Sequence, residues 1–183
     1  VIAGLAGDDV IHGLGGDDVI CGGAGDDVIH GGAGNDVLRG GPDDDRLVGG
    51  AGDDEISGSR GSDCVDYSGA DSDERVPGDS VEVDLAAGTA AGYAGDDTLR
   101  LVDCVITAET SDVLRGDDGD NRFVLLAAAT AVGDEPAAAG SVDGAGGTDT
   151  IELGFDAAVD LGEGVFSEAP VEGASVVQNP VTQ

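Results

Sequence analysis

The sequence predicts an all-β chain whose ordered part is a parallel β-roll (β-solenoid), followed by an irregular β-rich extension. Three observations carry that expectation. A nine-residue period runs through the first third of the chain, glycine and aspartate hold fixed places within it, and one aliphatic residue recurs in every period. Internal repetition of this length marks a solenoid, in which each unit buries its apolar side only by stacking on its neighbours.

Residues 4–66 resolve into seven consecutive units: GLAGDDVIH, GLGGDDVIC, GGAGDDVIH, GGAGNDVLR, GGPDDDRLV, GGAGDDEIS and GSRGSDCVD. Position one is glycine in all seven, and position four is glycine in all but one, where Asp43 stands. Position six is always aspartate: Asp9, Asp18, Asp27, Asp36, Asp45, Asp54 and Asp63. Position eight is always aliphatic: Ile11, Ile20, Ile29, Leu38, Leu47, Ile56 and Val65.

The first six residues of a unit, rich in Gly and Asp, are expected to turn. The last three, such as Val28-Ile29-His30, suit a very short strand. Side chains alternate along a strand, so position eight faces inward while seven and nine face out. Two strands and two turns make a coil, and alternate units stack in one sheet at about 4.8 Å per coil. Asp9 then stacks with Asp27, Asp18 with Asp36, Asp27 with Asp45, Asp36 with Asp54 and Asp45 with Asp63. Alone these acids repel. A hard divalent ion between them reverses the sign, and calcium accepts about six to eight oxygens from carboxylates and carbonyls. Glycine lets carbonyls approach it with no Cβ in the way.

These units resemble the RTX (repeats-in-toxin) calcium-binding repeats of secreted bacterial proteins, which form a parallel β-roll. The resemblance implies several Ca²⁺ ions, each held by the position-six aspartates of two stacked loops. Carbonyls from positions one and three of one loop and two and four of the other complete each shell. Carried onto this chain, that adds Gly4, Ala6, Gly13 and Gly15; Gly22, Gly23, Ala24 and Gly25; Gly31, Gly32, Ala33 and Gly34; and Gly41, Asp43, Gly50 and Gly52. One ion would see Gly22, Ala24 and Asp27 with Gly41, Asp43 and Asp45, or the reverse facing. Pro42 and Asp43 depart from the pattern, so that loop is expected either to bind more weakly or to add a carboxylate, and Leu5 and Leu14 replace the second glycine, so less regular sites are expected in the first two units.

Composition narrows the partners. The chain has 183 residues with 39 acidic and 7 basic ones, a formal net charge of −32. Phosphate binding needs a cationic face, so nucleic acid is excluded as a partner, and an anionic membrane is disfavoured. No stretch approaches the roughly 20 apolar residues of a membrane span. Aromatics are 3% of residues and glycine 34 of 183, too little bulk for a thick apolar core. Without calcium the uncompensated charge is expected to leave the chain disordered. Cys21, Cys64 and Cys104 show no metal-type spacing, and the odd number reads as ordinary strand residues.

Residues 1–66 are read as the roll, 67–126 as a β-rich flanking segment with degenerate repeats, and 127–183 as low-complexity chain ending in a loose tail from residue 163. Residues 66–79 read as a polar loop, Val81 to Leu85 as a strand, 86–97 as a small-residue turn region and 98–106 as one or two strands. This stretch resembles the segment that often follows RTX repeats. Isolated echoes of the repeat are expected around Asp112, Asn121 and residues 144–152, without a clear partner coil, as caps or irregular coils or, alternatively, as further metal sites.

His12 and His30, both at position nine, should stack on an outward face as surface residues. The sequence has no HExxH, GxSxG or phosphate-binding loop, so no catalytic residue is assigned. The expected role is a calcium-binding module that folds outside the cell or at its surface, as a piece of a larger secreted protein with further domains. That parent is either a secreted enzyme (protease, lipase or epimerase) with its catalytic domain upstream, or a surface adhesin.

Overall fold

The nine-residue period becomes half a turn of a coil. The structure is a computed structural model and describes residues 1–69, 80–108, 112–127, 141–155 and 175–177. Among these, the chain is strand without helix. The strands are β1 (Ile2–Ala6), β2 (Val10–His12), β3 (Val19–Ala24), β4 (Val28–Ala33), β5 (Val37–Pro42), β6 (Arg46–Ala51), β7 (Glu55–Arg60) and β8 (Cys64–Asp66). They continue as β9 (Val81–Asp84), β10 (Thr89–Gly92), β11 (Gly95–Arg100), β12 (Cys104–Thr107), β13 (Val113–Arg115), β14 (Arg122–Ala127), β15 (Ser141–Asp143), β16 (Thr150–Phe155) and β17 (Ser175–Val177).

Two sheets face each other. One runs β1-β3-β5-β7-β11-β10-β9-β13-β15, the other β17-β16-β14-β12-β8-β6-β4-β2. Successive repeats alternate between them, so each residue lies beside the one two repeats away. Ile11 pairs with Ile29, and Ile20 with Leu38. The resulting fold is a parallel β-roll.

Alternation places position eight inside, and the core is little more than these residues. Ile20, Ile29, Leu38, Leu47, Ile56 and Val65 are fully buried. Leu99, Val105, Leu114 and Phe123 prolong the same file. With so thin an interior, apolar burial is modest and the turns must add stability of their own.

The strands are longer than the three residues expected. β3 to β7 each have six, because the ladder continues through positions one to three. Gly32 pairs with Gly50 and Ala33 with Ala51. This requires position two to take a positive φ, from 109° at Gly50 to 137° at Gly41. Glycine adopts that conformation freely. Leu5 and Leu14 hold the same position at φ 89° and 77° and point their side chains into solvent, 78% and 79% exposed. Beside Leu14, β2 stops after three residues.

Four further expectations are corrected. Residues 86–97 are not simply a turn region: β10 and the start of β11 lie there, and β9, β10 and β11 pair antiparallel as an insert in the first sheet. The later echoes of the repeat do have partner coils, since β14 pairs with β16 and β13 with β15. The tail includes strand β17, which pairs with β16. Cys64 and Cys104 are not ordinary strand residues. They face each other on β8 and β12 and form a disulfide, while Cys21 is free. Sequence spacing hides that pair because the insert separates two neighbouring coils. Residues 70–79, 109–111, 128–140, 156–174 and 178–183, which include much of the expected loop, linker and tail, lie outside the described residues.

A leucine at positive φ costs roughly 1–2 kcal/mol relative to glycine. Leu14→Gly should therefore raise the thermal midpoint of the folded chain. An unchanged or lower midpoint in a calcium-containing thermal melt would count against strain at this position.

Candidate metal centre

The position-six aspartates line the two turn edges of the roll in columns. In the first, the Asp9 N–H donates to Asp27 Oδ1 at 2.8 Å, Asp27 to Asp45 at 2.9 Å and Asp45 to Asp63 at 3.0 Å. In the second, Asp18 donates to Asp36 and Asp36 to Asp54, both at 2.8 Å. All five expected pairs are thus adjacent, joined by backbone-to-carboxylate hydrogen bonds.

In Asp27, Asp36, Asp45, Asp54 and Asp63 only Oδ1 is used. Oδ2 of Asp9, Asp27, Asp36, Asp45, Asp54 and Asp63 is buried with no hydrogen-bond partner. A buried carboxylate oxygen without a donor is costly and calls for a cation or a proton. Position-one glycine explains where that oxygen points. A Cβ on Gly22 would collide with Asp27 Oδ2 and come within 2.9 Å of the Gly40 carbonyl. On Gly31 it would meet Asp36 Oδ2 and the Gly49 carbonyl, and on Gly4 Asp9 Oδ2 and the Gly22 carbonyl. Carboxylate and carbonyl converge in the gap between coils, where any side chain would intrude.

The same reading shows which carbonyls face which gap. A Cβ on Gly41 would strike the Gly23 carbonyl, on Gly50 that of Gly32, and on Gly52 that of Gly34. Positions two and four of the earlier loop therefore face the later one. Positions one and three face back: the Ala24 carbonyl accepts from Gly7 N–H at 2.7 Å, and Ala51 from Gly34 at 2.8 Å. Gly22 and Ala24 thus share a gap with the earlier loop, near Leu5 and Gly7, not with Gly41 and Asp43. The gap above Asp27 instead has Gly23 beneath and Gly40 and Pro42 above. Of the two facings that the resemblance allows, the structure adopts the second. Ala33 follows the same alternation, its carbonyl accepting from Gly16 N–H at 2.7 Å, whereas the Gly13 carbonyl, in the first coil, accepts from Gly15 N–H at 3.2 Å. The Asp43 carboxylate turns back to accept from Gly25 N–H at 3.2 Å.

One repeat was missed in the sequence. Residues 92–100, GYAGDDTLR, have glycine at positions one and four, aspartate at six and leucine at eight. Tyr93 at position two and the insert 67–91 break the register that would have revealed it. Asp97 continues the second column, accepting from Asp54 N–H at 2.9 Å. Its Oδ2 is not orphaned: the Tyr67 hydroxyl donates to it at 2.7 Å, and the Tyr93 hydroxyl donates to the Tyr67 carbonyl. A tyrosine hydroxyl closes this column.

The later units differ again. Asn121 N–H donates to Asp149 Oδ1 at 3.0 Å, which keeps the link. The Asn121 amide is satisfied by Asp117, accepting from its N–H at 2.8 Å and donating to its carboxylate at 3.2 Å. Asp112 accepts from Val81 N–H at 2.9 Å. His12 and His30 do stack, ring centroids 4.5 Å apart.

Burial pushes the proton affinity of five of the column acids up. Desolvation is the main cause for Asp54, raised to about 7, with Asp97, Asp36 and Asp53 adding repulsion. Asp45 is raised to about 6, again chiefly by desolvation, and Asp36, Asp63 and Asp97 shift the same way. Among the described residues, no three His, Cys, Asp or Glu side chains cluster as a metal site. An ion here would draw on carbonyls as much as on carboxylates, a donor set that suits calcium and not a soft transition metal.

A family model for the RTX calcium-binding nonapeptide repeat matches residues 1–29, 30–65 and 107–125, in four copies. The matched stretches are RTX calcium-binding repeats. Calcium is accordingly the ligand of its repeats. The matched stretches leave out residues 66–106, where the GYAGDDTLR unit lies. No curated protein matches the chain as a relative.

The raised acids make the ion-free RTX roll sensitive to pH. Their folded pKa lies above the unfolded value, so the folded state holds more protons between about pH 4 and 7 and loses stability as pH rises through that window. In calcium-free buffer, circular dichroism should show more β structure at pH 5 than at pH 7.5, and Asp54→Asn should flatten the difference. No difference, or the opposite sign, would contradict the burial of these carboxylates.

Proposed function

We propose that this chain is a calcium-driven folding module of a larger secreted protein, taking up several ions in the gaps between its stacked loops. The observation that carries the proposal is the file of buried Oδ2 atoms with no protein donor at Asp9, Asp27, Asp36, Asp45, Asp54 and Asp63. In each gap the aspartates supply the charge, the glycine loops supply carbonyls, and position-one glycine leaves the space open. A bound calcium neutralises the paired acids and cross-links adjacent loops. Because each loop belongs to two gaps, binding in one orders half of the next, so uptake is expected to be cooperative.

The role is binding and folding and not catalysis. Each carboxylate is enclosed between two loops and does not line a cleft that a substrate could enter. A location outside the cell or at its surface is supported by two features. Weak repeat sites of this kind match extracellular calcium levels, and the Cys64–Cys104 disulfide suits an oxidising compartment.

Calcium titration followed by circular dichroism and size, with reversal by chelator, tests the proposal. β signal and compaction should rise together and fall on chelation; no response to calcium would overturn it. Asp27→Ala should weaken two gaps and shift the calcium midpoint more than Asp9→Ala, which belongs to one. Equal shifts would contradict the shared-loop arrangement.

A further inference from the structure

The Cys64–Cys104 disulfide lies where the repetition breaks. Regular neighbours in a sheet are 18 residues apart in sequence, as Asp9 and Asp27 are. Cys64 and Cys104 are 40 apart, because the insert and strand β11 lie between them. Strands β8 and β12 nevertheless pair in parallel, with Cys104 opposite Cys64 and their Cα atoms 4.2 Å apart. Both cysteines are buried.

Sequence distance alone does not favour this pair. The probability of closing a flexible loop falls as about the three-halves power of its length. Cys21 lies 43 residues before Cys64 and 83 before Cys104. In an unordered chain Cys21–Cys64 should form about as often as Cys64–Cys104, and Cys21–Cys104 about a third as often. The pair found in the roll would then be roughly 45% of the total.

The fold removes that choice. Cys21 sits on β3 in the first sheet, between Ala3 and Arg39 of the neighbouring strands. The other two cysteines are both in the second sheet, and Cys21 is left free. Only folding brings β12 beside β8, and that contact is opposed by charge. The Asp103 and Cys104 N–H groups both donate to the Asp63 carbonyl, at 3.1 and 3.0 Å. Asp63 and Asp103, the residues just before the two cysteines, therefore meet at the starts of adjacent strands. Asp103 is the foremost of the acids whose charge acts on Asp63. Without cations this repulsion, added to that of the aspartate columns, keeps apart the strands whose thiols must meet.

We propose that calcium and this disulfide are coupled: calcium-driven folding selects Cys64–Cys104 from the three possible pairs, and the finished bond lowers the calcium concentration at which the roll folds. The proposal rests on the calcium reading above and adds a redox step to it. The oxidant is a low-molecular-weight disulfide. One cysteine thiolate attacks it, forming a mixed disulfide and releasing one small thiolate; the second cysteine thiolate attacks the protein sulfur of that mixed disulfide and releases the other. Two protein thiols lose two electrons, the small disulfide gains them, and the two thiol protons end on the released thiolates. Linkage makes the effect reciprocal, so a bond that calcium favours must in turn favour calcium. The cross-link does so by removing entropy from the unfolded chain. Spread over the five stacked aspartate pairs, a typical disulfide shifts the calcium midpoint by about two- to fourfold.

Two measurements on the unaltered chain test the coupling. The reduced chain is equilibrated in a glutathione redox buffer, with saturating calcium or with chelator, then alkylated, and its disulfides are mapped by peptide mass spectrometry. With calcium, Cys64–Cys104 should dominate and Cys21 should be alkylated; with chelator, the share of Cys64–Cys104 should fall toward that of an unordered chain. The same distribution in both conditions overturns the proposal. Calcium titrations followed by circular dichroism should place the midpoint about two- to fourfold higher in dithiothreitol than in the oxidised chain, and equal midpoints overturn it as well. A chain whose β signal ignores calcium in both redox states overturns instead the calcium reading on which the proposal rests.

Discussion

Everything in this roll depends on one unfavourable arrangement: a carboxylate oxygen buried between two glycine loops, with no protein donor to meet it. The stacked N–H of the preceding aspartate satisfies one oxygen of each pair and fixes its direction. The other oxygen is thereby aimed into the gap between coils. In an interior only one aliphatic residue thick, there is little apolar burial to offset that cost, so the fold and the cation are one thermodynamic unit. The raised proton affinities of Asp54 and Asp45 express the same fact. A proton is the poorer answer to a need that calcium meets.

The ends of the columns follow from the same constraint. A solenoid cannot simply stop, because its last rung leaves orphaned oxygens and a bare edge. Tyr67 resolves this chemically in the second column with a hydroxyl. Further along, the Asn121 amide can donate where a carboxylate cannot, while its N–H carries the link on to Asp149. The antiparallel strands β9 and β10 extend one sheet without adding a coil. The disulfide then ties the coils that this insert would otherwise let separate.

Much of this was legible in the residues. The invariant aspartates and the aliphatic position eight named the gap-lining acids and the core, and the stacking of alternate units followed from the period. Residues 92–100 carried the same signature and were passed over because Tyr93 breaks the glycine pair and the insert shifts the register. The strand length was underestimated for a physical reason: glycine at positive φ does not interrupt a ladder between identical coils.

The amino-acid order by itself determined the period, the two columns, the identity of the ion and the inward face, because each is a local choice repeated every nine residues. Only the tertiary structure decided which carbonyls share a gap, since both facings satisfy the same pattern. It also decided that Cys64 meets Cys104, that Asp97 follows Asp54, and that Asp103 comes to rest beside Asp63. Those contacts join residues on either side of the insert, and their meeting depends on the path that the insert takes through the sheet, which no local periodicity encodes.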